Sequence, residues 1–265
     1  MEKIRPAAVA GRFYPGSPRE LETQVLAFLD DASARMPTST RAPKAVIAPH
    51  AGYIYSGPIA ASAYARLALD RESITRIILL GPSHRVNFRG LAVPSASLFA
   101  TPLGNVRIDT AAIESVAHLP QVGLLDTAHS GEHSLEVHLP FIQLALGDVA
   151  VVPFAVGDAT PDEVAEVLDA LWGGDETRIV VSSDLSHYQA FAVAKELDAD
   201  TSRAIELLRP DLIASDRACG RNPIAGLLTV ARRRGLTVRT VDLRNSGETA
   251  GPRDQVVGYG AYVVA

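Results

Sequence analysis

Four short runs, 44–48, 76–80, 149–156 and 178–182, are nearly continuous in apolar residues and constrain the fold more than any other feature. A strand with one wet face alternates apolar and polar residues; a strand covered on both faces reads apolar throughout. Two further runs, 237–243 and 256–264, bring the strand candidates to six. Helical patterns lie between or before them, at 17–34, 58–69, 135–146, 161–172, 190–208 and 223–234. Pro58, Pro161 and Pro223 suit the first helical position, which makes Thr160 and Asn222 the expected N-caps. This alternation predicts an α/β fold: a single domain, 1–265, with a mainly parallel sheet flanked by helices on both faces. With 265 residues, 47% of them apolar, the chain can bury a substantial core.

Two segments break the rhythm. Residues 89–108 hold short strand-like pieces, 90–94 and 98–106, which read as a hairpin or excursion beside the main sheet. The last strand contains Gly258 and Gly260, which mark a close backbone approach or a bulge. Residues 36–43 read as a polar loop between the first helix and the first core strand.

Charge and composition exclude several classes. The net charge is −5 with acids and bases interspersed, which argues against a nucleic-acid partner. The one basic cluster, Arg232-Arg233-Arg234, closes a helix pattern, where cations complement the helix dipole. No run approaches the roughly 20 apolar residues that span a bilayer. The start, Met1-Glu2-Lys3-Ile4-Arg5-Pro6, lacks the apolar core of a signal peptide. A single cysteine forms no internal disulfide, so a cytoplasmic location is expected.

Chemistry-bearing residues gather where the strand candidates end. His50 follows 44–48, His84 follows 76–80, and Asp184 and His187 follow 178–182. In an open parallel sheet ligands bind beyond the carboxyl ends of the strands, so these positions face one rim. Imidazole is both the commonest metal ligand and the usual acid–base group at neutral pH. Two histidines with a third, anionic ligand suit iron(II) or another divalent ion. Cys219 is a candidate for that third place, because the helix start at Asn222-Pro223 favours its thiolate. A second cluster is Glu132-His133-Ser134-Leu135-Glu136-Val137-His138. Ser134 is read as the cap of the helix that follows, Glu132 and His133 as pocket candidates, and His138 as packing against the body. Ser182, Ser183 and Ser186 crowd His187, but no Gly-x-Ser-x-Gly elbow is present, nor any glycine-rich phosphate loop before a helix.

Taken together, these motifs are similar to those of the Memo family, also called AmmeMemoRadiSam system protein B in microbes. The resemblance is carried by Ala48-Pro49-His50-Ala51-Gly52-Tyr53 with Ser56-Gly57, by Leu80-Gly81-Pro82-Ser83-His84 and by Glu132–Pro140. It continues through Ser182–Tyr188, Cys219–Ile224, Arg5-Pro6-Ala7, Gly11–Gly16, Asn245–Glu248 and Val257-Gly258-Tyr259, nearly the whole chain in order. The resemblance implies a fold like the catalytic subunit of class III extradiol dioxygenases. It implies His50 and His84 as metal ligands, Cys219 in the third ligand's place, Asp184 as a pocket residue and His187 as an acid–base candidate. Family members bind iron or copper and influence redox state; animal relatives are linked to motility and to phosphotyrosine peptides.

The leading expectation is a metal-binding protein with a redox or metal-handling role, its iron(II) or copper held by His50, His84 and Cys219. Zinc is the other ion such ligands suit. His187 would move protons and Asp184 would orient a ligand, with a small molecule or peptide in the metal cleft. A second expectation is a non-catalytic adaptor whose cleft reads a peptide or small anion through histidines and Arg221. A third is an extradiol-type dioxygenase or related hydrolase acting on a small molecule. The microbial family name suggests association with a radical-SAM protein.

Overall fold

The computed structural model describes residues 2–36 and 41–265; half of the loop expected at 36–43 lies outside them. Among the described residues, the first half contains β1 (Ile4–Arg5), α1 (Pro18–Arg35), β2 (Ala45–Ala48), α2 (Tyr53–Leu67), β3 (Arg76–Pro82), β4 (Leu91–Val93), β5 (Leu98–Thr101), β6 (Gly104–Arg107), α3 (Thr110–Val116), β7 (Val122–Leu124) and α4 (Thr127–Ser130). The second half contains α5 (Leu139–Leu146), β8 (Ala150–Val156), α6 (Pro161–Ala170), β9 (Thr177–Ser182), β10 (His187–Gln189), α7 (Phe191–Glu206), α8 (Arg221–Arg233), β11 (Val238–Asn245) and β12 (Val256–Val264).

The four apolar runs are β2, β9, β3 and β8, adjacent in that order and mutually parallel at the heart of a nine-stranded sheet. Ile47, Ile77–Leu80, Val151, Val152, Phe154 and Ile179–Val181 are fully buried. Each such side chain contributes about 1.5–3 kcal/mol by leaving water, which is why runs without polar residues end up in the middle. Antiparallel strands complete the sheet: β12 pairs with β2, β11 and β10, and β4 with β8. The expected excursion divides. Strand β4 joins the main sheet, while β5 and β6 form a hairpin in a small separate sheet with β1.

Helices flank the large sheet in two groups. One comprises α1, α2 and α5; in the other α6 packs on α8, and α7 lies against β11 and β12. Thr160 caps α6 with a full capping box, Pro161 following as expected. Two helix starts differ from expectation. Helix α2 begins at Tyr53, so Pro58 lies inside it. Helix α8 begins at Arg221 with Gly220 before it, so Asn222 is helical and its side-chain amide donates to the Gly157 carbonyl. Gly258 does mark a close approach: a Cβ there would collide with the Asp198 carboxylate. No helix among the described residues is long and apolar enough to cross a membrane.

Candidate metal centre

Strand order makes the site. β9 lies between β2 and β3, and register sets Ala48 beside Ser182 and Leu80 beside Val181. The residues that follow these strands, His50, His84 and Ser183-Asp184, therefore emerge side by side. The His50 amide donates to Asp184 Oδ1 at 2.8 Å, and its ring Nδ1 lies 2.6 Å from Ser182 Oγ. His50 is 2% exposed.

The third member comes from outside the parallel core. Between α4 and α5 the chain turns Glu132 inward, where its carboxylate is almost fully buried. It accepts from the His84 amide (2.6 Å), the His84 ring Nδ1 (2.9 Å), the His133 amide (2.8 Å) and the Ser134 amide (2.9 Å). His133 Nδ1 lies 3.2 Å from the same carboxylate. The rings of His84 and His133 stack at 4.7 Å, and His50 meets both edge-on at 5.2 and 5.4 Å. Each histidine offers one ring nitrogen, and these nitrogens lie within 4.8 Å of one another. With every Nδ1 occupied by an oxygen partner, the nitrogens left for a ligand are the three Nε2 atoms. A metal-binding histidine characteristically has its other nitrogen held by an oxygen acceptor, most often a carboxylate, backbone carbonyl or water. The donor set thus fits a transition-metal ion.

Electrostatics follow burial. Burial, reinforced by the neighbouring His84 and His133, holds His50 well below its ordinary pKa, so its ring is neutral. Burial alone would raise Glu132, but hydrogen bonds from His133, His84 and the Ser134 amide outweigh it and keep the carboxylate ionised far below the usual range. Asp184 is raised, chiefly by burial, against the opposing His50 amide and His187.

Cys219 Sγ lies 3.3 Å from His50 Nε2 and accepts from the Asp184 amide at 3.2 Å. A Cβ on Gly220 would strike the Ser182 carbonyl oxygen at 2.5 Å, so glycine is what lets this turn press against the end of β9. The expected activation of the thiol by α8 does not hold in this environment. Burial first, then the Asp184 charge, push the thiol up to about 12. Cys219 adjoins the three-histidine group; His133 is the third member of that group.

A cleft of about 380 Å³ opens beside the centre, lined by His133, Asp184 and His187 and walled by Phe13, Tyr55, Tyr188 and Tyr259. His187 Nδ1 lies 2.8 Å from the Leu185 carbonyl oxygen, which can only accept, so Nε2 is the nitrogen free for exchange. Tyr188, next along, has φ of 56° at a register shift between β10 and β12. Strain and bulge together re-aim the chain at the cleft wall. Arg221, expected as a pocket residue, is exposed and is not among the residues lining this cleft; its place at the first turn of α8 turns it outward.

Several contributors were missed from sequence. Ser134 does not cap a helix; its hydroxyl donates to the Pro82 carbonyl and ties the Glu132 turn to the end of β3. His138, read as a packing residue, is hydrogen-bonded to Ser182. Phe13 lies 4.7 Å from the His133 ring, and Arg5 donates to the His129 and Glu132 carbonyls and to Glu136. The one signal for these in the sequence is that Arg5-Pro6-Ala7 and Gly11–Gly16 carry part of the family resemblance.

A parallel-core α/β sheet carrying a histidine cluster at its strand ends defines the class, and sequence comparison specifies it. A family model described as Memo-like protein matches residues 5–263, and the chain belongs to this family. A MEMO1 family protein of Aeropyrum pernix is 35% identical over 278 residues, covering 98% of this chain and 99% of that protein. One from Aquifex aeolicus is 34% identical, with 97% of each covered. The crystal structure of an uncharacterized Escherichia coli K12 protein superposes with a TM-score of 0.50 at 14% identity, over 84% of this chain and all of that one, a likeness of fold alone.

Proposed function

We propose that this chain is a metal-binding protein with a redox or metal-handling role, in which His50, His84 and His133 hold a divalent transition-metal ion. One observation carries the reading: three ring nitrogens within 4.8 Å, each ring anchored through its other nitrogen. Imidazole donors suit iron, copper and zinc. A bound ion of this kind supplies Lewis-acid polarisation or electron transfer. The chain's own residues do the rest. Glu132 holds two of the rings in ligating orientation. Asp184 fixes the His50 amide and, through its own amide, the Cys219 sulfur. His187 offers Nε2 at the cleft wall as the proton carrier. Cys219, beside His50, is the thiol through which the centre's charge or redox state is adjusted.

The cleft admits a small molecule rather than an anion reader's target, since no lysine or arginine is among the described residues lining it. Its four aromatic walls favour, as a second reading, an extradiol-type reaction on a small aromatic compound. Anaerobic loading with iron(II) followed by a catechol panel tests that, and absence of ring-cleaved product removes it. The main reading is tested by metal analysis of protein purified without chelator or affinity tag. Wild type is expected to retain about one equivalent and the His50→Ala/His84→Ala/His133→Ala variant none. Equal metal content in the two defeats the proposal. Cys219→Ala, measured alongside, reports whether the thiol is a ligand.

A further inference from the structure

A buried chain of side chains runs from the interior of α2 to the back of His50. Tyr64 Oη lies 3.0 Å from His138 Nδ1, and His138 Nε2 lies 2.9 Å from Ser182 Oγ. Ser182 Oγ lies 2.6 Å from His50 Nδ1 and donates to the Ser134 carbonyl oxygen at 2.6 Å. All four side chains in the run are at most 2% exposed, and no carboxylate is among their hydrogen-bond partners in the described residues.

Counting protons assigns every bond in this chain. A hydroxyl has one proton and two lone pairs. The Ser134 carbonyl can only accept, so the short contact to it consumes the single Ser182 proton. Ser182 Oγ must then accept from both imidazoles. That fixes His50 as Nδ1–H and His138 as Nε2–H. His138 Nδ1 is left bare, and the Tyr64 phenol donates to it. With both buried imidazoles neutral, any other assignment sets two lone pairs against each other, or two protons, across one of these contacts.

We propose that Ser182, His138 and Tyr64 are positioning residues that lock His50 as its Nδ1–H tautomer, so that its Nε2 presents a lone pair to the centre. The same assignment makes Cys219 the donor in its 3.3 Å contact with His50 Nε2. For its use the inference rests on the metal reading above, but the tautomer is a property of the metal-free chain. Glu132 orients His84 and His133 with a charge; this chain orients His50 with neutral groups only.

Long-range proton–nitrogen correlation spectra of metal-free, nitrogen-15-labelled protein at neutral pH test the assignment directly. The expected result is a protonated-type Nδ1 and a bare-type Nε2 for His50. Ser182→Ala removes the acceptor, so the Nε2–H form of His50 grows and Co²⁺ affinity falls about 10–100-fold, the usual loss when such a partner is removed. His138→Gln keeps a donor for Ser182 and an acceptor for Tyr64, and leaves both readouts near wild type. An Nε2–H form of His50 in wild type overturns the proposal, as does a Ser182→Ala variant with unchanged tautomer. The wild-type spectrum suffices if a variant fails to fold. Wild type with the Nδ1–H form but no uptake of Co²⁺ defeats the metal reading and leaves the tautomer assignment standing.

Discussion

The two sides of the histidine centre are backed by opposite chemistry. Behind His50 stand Ser182, His138 and Tyr64, all uncharged and fully buried. Behind His84 and His133 stands the ionised Glu132, and beyond it the buried ion pair of Arg5 with Glu136 at 2.6 Å. A buried charge is tolerable only where donors replace its lost water. Glu132 has three backbone amides as well as two imidazoles. Glu136 has the Ala8 and Val9 amides, the Tyr14 hydroxyl and Arg5. The end of β9 offers no such set of free amides, because its backbone is spent on β2 and β3. Sheet pairing therefore favours neutral backing for the His50 ring, while the charged backing of the His84 and His133 rings sits at the irregular turn.

The sharpest way to break this contrast is to remove the ion pair on which the charged side leans. Arg5 holds the turn from three directions, through the His129 and Glu132 carbonyls and the Glu136 carboxylate. Arg5→Met strands Glu136 as an uncompensated buried charge and should cost about 3–5 kcal/mol of unfolding free energy. Urea denaturation measures it. A loss below about 1 kcal/mol would mean that the sheet side alone frames the centre.

The contrast also explains what was legible in the sequence. His50 and His84 were readable because apolar runs announce buried parallel strands, and the sheet rule then says where their ends lead. His133 was readable only as a pocket candidate beside Glu132, not as the third member of the histidine group, because that position depends on contacts distant along the chain. Ser134 looked like a cap, yet its hydroxyl reaches Pro82, and regular helix begins only at Leu139 after a tight turn at Glu136–His138. Arg5 and Glu136 are far apart in sequence, and no local pattern joins them. Cys219 was located correctly at a helix start, but a local rule about helix dipoles could not weigh burial and the Asp184 charge against it.

A smaller effect separates the two backings at the ligand level. Glu132→Gln keeps the shape but removes the charge, and both imidazole partners, which share Oε1, then face an amide instead of a carboxylate. Co²⁺ affinity, measured by calorimetric titration, should fall about 10–100-fold, or about 1.4–2.7 kcal/mol. The His50 tautomer should be untouched, since its partners are on the other side. A change in His50 with no change in affinity would show that the two sides are wired together rather than separately.

Acid titration resolves the two backings on one axis. His138, pushed down to about 3 by burial, lies below the unfolded value of about 6.5. The unfolded chain therefore takes up the proton first, so the stability from keeping this ring neutral is complete above about pH 6.5. It drains by about 1.4 kcal/mol per unit as pH falls toward 3. His50 is shifted in the same direction, and His129, pushed down to about 4 by burial, adds to the same window. Glu132 is depressed too, so its contribution is intact above the ordinary carboxylate value and is lost only as pH falls beneath about 4.5. His138→Gln should make the stability profile shallower by about 1.4 kcal/mol per unit from pH 6.5 down to about 3, so its effect is already present above pH 4.5. Glu132→Gln should flatten only the limb below about pH 4.5 and leave the region between pH 6.5 and 4.5 unchanged. Urea midpoints measured across this range decide it, and a His138→Gln profile parallel to wild type from pH 6.5 to 4.5 would show that the interior ring is not held neutral.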